Sequence, residues 1–347
     1  MKNKRIGVLM GGWSSERDVS LRTGNGVLEA LNGAGYTAVP VVLGPATIDE
    51  AVRDAEIDVA FLALHGKGGE DGCVQGALEL FGIPYTGSNV LASALAMDKL
   101  KAKEMFRLHN VPTPPYYEIT GKNLDELESL HGNFGFPVIV KPRSEGSSIG
   151  VTRANSLAEL QEAIEKALRH DRAALVERFV TGREIHVGIL DGEVLGSIEI
   201  VPKSGVYDYE SKYTAGKTDY VAPQIREARR IGIERLAARA ASALGCTGPA
   251  RVDMIVTEGE NEYVLEVNTL PGMTPTSLLP KIASGKDIGY LELCERILEG
   301  ATLHSRIGQF GTVSVRSRRS SGIVLPESGV LEIGALEGDD VFEATGT

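Results

Sequence analysis

The sequence predicts an α/β protein in which a parallel sheet near the N-terminus is followed by two mixed α+β regions. Apolar runs rich in β-branched residues alternate with helical patterns over residues 5–95, and glycine-rich segments follow several of these runs. Further along the chain, apolar runs separated by short turn signals indicate antiparallel hairpins. Because helical crossovers join parallel strands, the first pattern indicates a sheet covered by helices, with ligands bound beyond the carboxyl ends of its strands.

The N-terminal region is predicted to hold three strands and two helices. In chain order they are strand Ile6–Met10, helix Val19–Leu31, strand Thr37–Val42, helix Ile48–Ala55 and strand Asp58–Leu64, followed by the glycine-rich loop Gly66–Gly72. The loops after the first and third strands carry Glu16 and His65. Both side chains are therefore expected at the edge of the sheet where ligands bind.

The remaining elements form two α+β regions. The second region has a helix at Met97–Leu108, an extended linker at Val111–Pro115, a strand at Pro137–Lys141, a helix at Leu157–Ala167 and a strand at Ala173–Phe179. The third has a hairpin at Ile185–Leu190 and Val194–Ile200, a polar loop at 203–223, a helix at Glu227–Leu244, a second hairpin at Ala250–Val256 and Tyr263–Asn268, and a helix at Tyr290–Leu298. Long loops without periodicity are usually functional or disordered.

Composition and charge exclude several classes of protein. A chain of 347 residues with 42% hydrophobic and 24% charged residues is typical of a soluble globular protein of two or three domains. A formal net charge of −11 provides no basic surface for nucleic acid, although a local lysine cluster can still hold a nucleotide. The first apolar run is too short for a signal peptide and no later run could span a membrane, so we expect a cytoplasmic protein. The cysteines, Cys73, Cys246 and Cys294, are widely spaced and are expected to be reduced thiols.

The second hairpin is a candidate metal site. Side chains alternate faces along a strand, so Arg251 and Asp253 share one face of the first strand, and Glu266 and Asn268 share one face of the second. If the strands pair, a cation, two carboxylates and an amide converge on one surface. Hard oxygen ligands of this kind suit Mg²⁺, which completes its shell with water and substrate phosphates. The alternative is a solvated hairpin face with ordinary surface charges.

A candidate phosphate site follows the strand that ends at Lys141. The loop after it contains Gly146, Ser147 and Ser148. A lysine at a strand end can contact phosphate as a point charge, while the N–H groups and hydroxyls of small residues bind anionic oxygens. The Gly-x-x-x-x-Gly-Lys-Ser/Thr pattern of Walker A loops is absent. The alternative is a plain turn with an exposed lysine.

The motifs together resemble those of D-alanine–D-alanine ligases, which belong to the ATP-grasp superfamily. The segments that carry the resemblance are MGGWSSERDVSLRTG, LHGKGGEDGCVQG, KPRSEGSSIG, ERFVTGRE, YDYESKY, ARVDMI and LEVNTLPGMTPTSLLP, in the expected order. The resemblance covers about residues 4–303. It implies a Rossmann-like parallel α/β domain at 1–96 followed by a two-lobed ATP-grasp α+β fold, with the small lobe at 97–182 and the central and C-terminal lobe at 183–303. It implies nothing for the extension at 304–347.

The same resemblance implies a reaction and its partners. Enzymes of this family transfer the γ-phosphoryl group of ATP to one D-alanine, and the amine of a second D-alanine attacks the acyl phosphate, which supplies a peptidoglycan precursor. The expected cofactors are ATP and two Mg²⁺ or Mn²⁺ ions. Two molecules of D-alanine are the expected partners, with no nucleic acid and no membrane, and a homodimer is expected.

The resemblance also implies roles for particular residues. The metal ligands would be Asp253, Glu266 and Asn268. The phosphate contacts would be Lys99, Lys141 and Lys212. Glu177, Phe179 and Val180 would border the adenine, and Glu184 would bind the ribose.

Contacts to the two amino acids are implied in the same way. Glu16 would bind the ammonium of the first D-alanine, with His65 nearby. Ser277 and the N–H of Leu278 would hold the carboxylate of the second. The catalytic residues would be Glu16, Ser147 and Tyr213, which form a hydrogen-bonded network, together with Arg251 and the N–H of Gly272, which form an oxyanion hole.

Structural alternatives accompany several of these assignments. His65 could cap its strand, Phe179 could belong to the core, Glu16 could favour the dipole of its helix, and Lys99 and Lys103 could lie on a solvated helix face. Three alternative functions are also open: a D-alanine–D-lactate or D-alanine–D-serine ligase, an ATP-grasp ligase for other substrates, and a nucleotide-binding regulatory protein that has lost its chemistry. The tyrosine in Glu-Ser-Lys-Tyr, Tyr213, favours the dipeptide enzyme.

Overall fold

The computed structural model describes residues 1–45, 47–203, 217–259, 261–274 and 276–305. Within them the helices are α1 (Arg17–Gly33), α2 (Ile48–Asp54), α3 (Cys73–Phe81), α4 (Val90–Met97), α5 (Lys99–Leu108), α6 (Leu127–His131), α7 (Leu157–Leu168), α8 (Glu227–Ala243), α9 (Leu278–Ser284) and α10 (Tyr290–Glu299). The strands are β1 (Arg5–Gly11), β2 (Thr37–Leu43), β3 (Val59–Leu62), β4 (Tyr116–Thr120), β5 (Val138–Pro142), β6 (Thr152–Ala154), β7 (Ala173–Arg178), β8 (Arg183–Leu190), β9 (Glu193–Pro202), β10 (Thr218–Val221), β11 (Pro249–Val256) and β12 (Glu262–Asn268).

The N-terminal sheet is parallel, as the alternation of strands and helices predicts. Its strand order is β2-β1-β3, and β1 is buried at six of its seven residues. The central strand of a covered parallel sheet loses solvent on both faces, which is why Ile6–Met10 reads as a continuous apolar run. The loop after β1 and the segment after β3 lie at the carboxyl edge of this sheet and carry Glu16 and His65.

Two antiparallel sheets follow. The first has the order β4-β7-β5-β6, with α7 packed on one face. The second has the order β10-β9-β8-β11-β12, and its face toward α8 forms an apolar core with Ile185, Val187, Val252 and Met254. The predicted α/β architecture is therefore confirmed, while the boundaries of the four predicted domains stay a prediction.

The helix predicted at Met97–Leu108 begins two residues later than expected. Asp98 has extended backbone dihedrals (φ −82°, ψ 95°) and separates α4 from α5. Its carboxylate accepts a hydrogen bond from the N–H of Lys101 and is bound by the Arg143 guanidinium, so the side chain acts as an N-cap. The contact with Arg143 favours Asp98 as the N-cap of α5 over a continuous helix through Asp98.

Several elements escaped prediction. The prediction of a loop throughout 203–223 is wrong in part, because Thr218–Val221 forms β10, which pairs antiparallel with β9. The rest of that loop, 204–216, lies outside the described residues. Helices α3, α4, α6 and α9 and strands β4 and β6 are short, and short elements give weak periodicity.

The largest apolar core joins distant parts of the chain. It includes Ile6, Val8 and Val27 of the N-terminal region together with Leu279 and Ile297 of α9 and α10. Near the C-terminal end of the described chain, Tyr85 and Thr302 exchange backbone hydrogen bonds at 3.1 Å, which adds an antiparallel bridge beside β3. None of the helices in the described ranges is long and apolar enough to cross a membrane.

Candidate active site

The β11–β12 hairpin brings together the four polar side chains expected from its alternation. Arg251 lies opposite Asn268, and Asp253 lies opposite Glu266. The Arg251 guanidinium donates hydrogen bonds to both Asp253 oxygens, at 2.7 and 2.9 Å, and Asn268 Nδ2 donates a third at 3.2 Å. The predicted convergence is confirmed. The alternative of a solvated face is wrong for Asp253, which is only 3% exposed.

Asp253 keeps its negative charge because the Arg251 guanidinium and the His186 ring lie against it. Burial alone would raise its pKa, but Arg251 and His186, whose Nδ1 lies 2.9 Å from Oδ1, hold the pKa of that carboxyl well below its usual range. On its other side, His186 Nε2 lies 2.9 Å from Glu184 Oε1. Burial acts to lower the pKa of His186, but the two carboxylates raise it above its ordinary value. The His186 ring therefore links Glu184 to the hairpin.

Lys99 reaches the hairpin from the first turn of α5. Its Nζ lies 3.6 Å from Glu266 Oε2 and donates to the Glu145 carbonyl at 2.5 Å. The N-cap at Asp98 fixes where the helix begins, and it therefore sets the direction of this side chain. Lys99 is 8% exposed, so the alternative of a solvated helix face is wrong.

Lys141 and Glu177 form a buried cluster with Lys103. Glu177 Oε1 lies 2.7 Å from Lys103 Nζ, and its Oε2 lies 2.9 Å from Lys141 Nζ. Burial alone would raise the pKa of Glu177, but the two ammonium groups hold it below its ordinary value. Lys103 was expected on a solvated face and is instead fully buried, so that expectation is wrong. Lys141 is also buried, which excludes the exposed lysine of a plain turn.

The loop between β5 and β6 carries Ser147 to the N-terminal sheet. Its hydroxyl donates a hydrogen bond to Glu16, whose side chain makes no capping bond to α1. A Cβ on Gly146 would approach Glu16 Oε2 to 2.7 Å, so a larger residue there would displace the Glu16 carboxylate. Ser147 and Ser148 have positive φ, +49° and +58°, a conformation that costs free energy and is found most often at functional sites.

A second contact ties this loop to the N-terminal region. Lys67 Nζ lies 2.5 Å from Glu145 Oε1 and also donates to the His170 carbonyl at 3.2 Å. The Lys67 side chain is 42% exposed, whereas Glu145 is 16% exposed. The loop is thus held to the N-terminal region on both sides of Gly146.

The candidate amino-acid contacts share one cavity of about 670 Å³. It is lined by residues of the N-terminal region, of the β5–β6 loop and of the five-stranded sheet. The predicted site residues on its wall are Glu16, His65, Ser147, Arg251, Glu266, Asn268, Gly272, Ser277 and Leu278. A smaller neighbouring cavity of about 30 Å³ is lined by Lys99, Glu145, Glu266 and Asn268, so Glu266 and Asn268 border both.

His65 is a neutral residue in the cavity wall. Its Nδ1 lies 3.1 Å from the Leu270 carbonyl, which can only accept, so the proton is on Nδ1. Its Nε2 then accepts from the Thr23 hydroxyl at 3.0 Å. Burial lowers the pKa of the ring, in agreement with the neutral form. These bonds join α1 to the segment after β12, rather than capping the end of β3.

Glu70 is a cavity residue that sequence reasoning missed. Its Oε2 accepts from the Gly66 N–H at 2.7 Å. Burial, reinforced by the nearby Glu16 carboxylate, raises the pKa of Glu70 to about 8. The glycine-rich loop Gly66–Gly72 was predicted at the site, but its acidic residue was not singled out.

The far end of the cavity is formed by Gly272, Ser277 and Leu278. Ser277 Oγ lies 2.7 Å from Thr274 Oγ1 and accepts from the Thr274 N–H at 3.1 Å. A Cβ on Gly272 would lie 2.8 Å from Ser277 Oγ, so a larger residue there would displace the Ser277 hydroxyl. Hydroxyl and N–H donors are thereby held close together, as carboxylate recognition needs.

The remaining predicted nucleotide residues lie outside the large cavity. Phe179 is half-buried and lies 4.4 Å from the Arg153 guanidinium, so it is not part of the apolar core. Val180 and Glu184 are also half-buried. Lys212 and Tyr213 lie outside the described residues.

The donor set at the hairpin fits Mg²⁺ in chemistry and only partly in geometry. Glu266 and Asn268 reach the cavity wall, while Asp253 lies beneath Arg251 with both oxygens hydrogen-bonded. Among the residues that the structure describes, no three His, Cys, Asp or Glu side chains form a metal-binding group. Two carboxylates and one amide are consistent with a magnesium ion that takes further ligands from water and phosphate.

Two family models and many curated relatives match this chain. The family model described as D-ala D-ala ligase C-terminus matches residues 105–299, and the one described as D-ala D-ala ligase N-terminus matches residues 45–88. The chain is 53% identical over 308 residues to a D-alanine–D-alanine ligase of Geobacter sulfurreducens, which covers 87% of this chain and 96% of the relative.

Solved structures give the same result and confirm the fold class. A D-alanine–D-alanine ligase from Bacillus anthracis complexed with ATP has a TM-score of 0.74 at 40% identity, over 85% of this chain and 96% of that one. The VanG D-Ala:D-Ser ligase from Enterococcus faecalis has a TM-score of 0.75 at 29% identity, over 85% of this chain and 98% of that one. The chain belongs to the D-alanine–D-alanine ligase family.

Proposed function

We propose that the protein joins two D-alanine molecules to form D-alanyl-D-alanine, with conversion of ATP to ADP and phosphate. The observation that carries this proposal is the shared cavity, in which a carboxylate, Glu16, a guanidinium, Arg251, and the donors at Ser277 and Leu278 face the same space. An α-amino acid needs an anion for its ammonium and donors for its carboxylate. The cavity supplies both.

The first step would activate a carboxylate, which is a poor electrophile. The γ-phosphoryl group of ATP would pass to the carboxylate of the first D-alanine and give D-alanyl phosphate. Phosphoryl transfer is catalysed mostly by positioning and by electrostatic stabilisation. Lys99 and Lys141 are held by Glu266 and Glu177 and therefore present fixed charges. Lys212 would add a third cation.

The second step would join the amino acids. The amine of the second D-alanine attacks the acyl carbon, and negative charge develops on the carbonyl oxygen. Arg251 and the N–H of Gly272 would stabilise that charge, and Glu16, oriented by Ser147, would hold the ammonium of the first D-alanine. Ser277 and the N–H of Leu278 would fix the carboxylate of the second.

Magnesium or manganese would be held at the hairpin. Glu266 and Asn268 would provide direct ligands. Asp253 would bind the metal through an oxygen that also accepts a hydrogen bond from Arg251. Two bound ions would neutralise phosphate charge and align the phosphates for transfer. Glu177, Phe179 and Val180 would border the adenine, and Glu184 would bind the ribose.

Turnover with defined substrates tests the proposal. The purified protein is incubated with ATP, Mg²⁺ and D-alanine while phosphate release and product mass are followed. We expect D-alanyl-D-alanine and one phosphate per dipeptide, and no dipeptide from L-alanine. Phosphate release without any dipeptide would contradict the proposal.

A D-alanine–D-serine or D-alanine–D-lactate ligase is the second candidate, favoured by the likeness to the D-Ala:D-Ser enzyme. The higher identity to dipeptide ligases supports D-alanine as the second substrate. A competition assay with D-alanine, D-serine and D-lactate across pH decides between them. We expect D-alanyl-D-alanine to dominate in the wild type, and the Tyr213→Phe variant to shift the ratio toward the ester. A nucleotide-binding regulatory protein would give none of these products.

Three further features belong to the same proposal. D-alanyl-D-alanine would serve as a peptidoglycan precursor, and ATP dependence favours a cytoplasmic location. A homodimer is expected from the family. Light scattering of the purified protein at several concentrations tests the last point, and a concentration-independent monomer would contradict it.

A further inference from the structure

Lys103 has an unusual environment for a lysine. It is wholly buried on α5, its Nζ lies 2.7 Å from Glu177 Oε1, and it donates to Thr113 Oγ1 at 2.5 Å. Two residues earlier on the same helix, Lys101 is exposed and pairs with Glu104. A buried charge destabilises a protein strongly unless it is paired, so a lysine without a function would be expected on the exposed face.

The arrangement around Glu177 suggests what the charge of Lys103 does. Each carboxylate oxygen meets a different ammonium group, with Lys103 at 2.7 Å and Lys141 at 2.9 Å. Two cations and one anion leave a net charge of +1. Without Lys103, Glu177 and Lys141 would form a neutral pair, and Glu177 would cancel the charge that Lys141 presents to phosphate.

We propose that Lys103 is a positioning residue of the nucleotide site, which neutralises Glu177 and so leaves the charge of Lys141 available to the phosphates of ATP. This inference rests on the proposed function, because it takes Lys141 as a phosphate contact. Burial lowers the pKa of Lys103 to about 8, so the ammonium form predominates at pH 7. Glu177 can still accept a hydrogen bond from the adenine, since each carboxylate oxygen has two lone pairs.

A purely structural lysine would behave differently. Loss of packing around Glu177 would disturb the whole nucleotide site and weaken adenosine and ATP together. Loss of charge would weaken ATP but leave adenosine unaffected, because adenosine has no phosphate. Comparing the affinities for adenosine and for ATP therefore distinguishes a structural role of Lys103 from an electrostatic one.

Calorimetric titration of the full-length protein with ATP and with adenosine tests the proposal. The variants are Lys103→Met and Lys103→Gln, which both remove the charge, with Lys101→Met as the matched control on the same helix. We expect about tenfold weaker ATP binding in both Lys103 variants, the size expected for one charge near a polyanion at the effective dielectric constant of a protein. Adenosine affinity should change less than twofold, and the control should match the wild type.

A charge-restoring double variant makes the test sharper. Glu177→Gln alone raises the net charge of the cluster, and Lys103→Met/Glu177→Gln returns it to +1. Because Glu177 also borders the adenine, the affinity for ATP is compared with that for adenosine in each variant, and we expect the ratio of the two to be at or above the wild-type value in the first and near it in the second. The double variant also removes the buried carboxylate that has lost one of its two cations, so it remains informative if Lys103→Met does not fold.

The outcomes separate this inference from the proposed function. Wild-type protein that binds neither ligand would overturn both. Wild-type binding that both Lys103 variants retain would overturn the inference alone. Equal losses for adenosine and ATP, or no recovery in the double variant, would assign Lys103 a structural role and would also overturn it.

Discussion

The nucleotide side and the amino-acid side of the site hold their charges in different ways. On the nucleotide side, Lys103, Glu177 and Lys141 are nearly excluded from water and paired before any ligand is present. On the amino-acid side, Glu16 and Glu266 are partly exposed and border open cavity space. The charges of the buried cluster are positioned before ATP binds, so substituting one of its residues should change the affinity for ATP. The residues on the cavity wall must rearrange around the substrate, so substituting one of them should change turnover.

The largest effect is expected where the two sides meet, at Asp253. Asp253→Asn removes the charge that holds Arg251 and His186, and it should lower turnover at least about a hundredfold, as loss of a preorganised charge typically does. Steady-state kinetics with varied Mg²⁺ provides the measurement, and Glu292→Gln, an exposed helix carboxylate, is the control. Near-normal turnover with unchanged magnesium dependence would remove Asp253 from the site.

Lys141→Ala should act mainly on the nucleotide. It leaves Glu177 with one cation and takes a charge from the phosphate site, so the Kd for ATP should rise about tenfold or more. Binding of ATP and single-turnover formation of acyl phosphate are measured separately. If neither changes, the β5–β6 loop binds some other group.

Ser147→Ala should act mainly on the amino acids. It removes the hydrogen bond that orients Glu16, a loss of about 1–3 kcal/mol, which corresponds to roughly ten- to a hundredfold in kcat/KM for D-alanine. The KM for ATP should not change, and Ser144→Ala in the same loop is the control. An equal effect on both substrates would show that the loop is simply misfolded.

Glu70 should make stability depend on pH. Its pKa rises from an ordinary value of 4.5 to about 8, so the folded protein binds more protons than the unfolded chain between those values. Stability therefore falls as pH rises through this interval. Glu70→Gln keeps an acceptor for Gly66 and removes the charge, so its melting temperature should exceed that of the wild type by a few degrees at pH 8.5 and match it near pH 5. A constant difference across pH, or one shared by Glu50→Gln, would contradict this explanation.

Lys67→Ala should have the smallest effect. The Lys67 side chain is partly exposed, and exposed ion pairs contribute at most about 1 kcal/mol. We expect less than a threefold rise in the KM for D-alanine, larger at low salt than at 0.5 M NaCl. An effect as large as that of Ser147→Ala would show that the Lys67–Glu145 contact controls the position of the loop.

The sequence predicts the central features of the site but not its buried charges. Strand alternation alone places Arg251, Asp253, Glu266 and Asn268 together, because the period of a strand is fixed. Lys103 was expected in solvent because lysine is rarely buried. Its spacing from Phe106 could have indicated a buried face, since residues three apart share one side of a helix.

Contacts between distant segments account for most of the rest. His186 and Glu145 contact Asp253 and Lys67 from other strands and loops, and no local pattern encodes these pairs, whereas Glu70 accepts a hydrogen bond from Gly66 of its own loop. The pairing of Ser147 with Glu16 and the assignment of Lys99 and Lys141 to the phosphates were reached through the family resemblance, rather than from spacing. These contacts depend on where the fold places the β5–β6 loop, and a short stretch of sequence does not encode that placement.

The shared apolar core has a consequence for synthesis on the ribosome. The apolar core that contains Ile6 and Val8 of β1 also includes α1, which packs on β1, and α9 and α10, which are translated about two hundred residues after the N-terminal strands. At about 5–20 residues per second, that interval lasts roughly 10–40 s. During it the part of this core that α9 and α10 complete, including the apolar face of α1 that packs on α10, stays exposed. Translation rate and chaperone access should therefore affect the yield of folded protein more than they would for a domain that folds on its own.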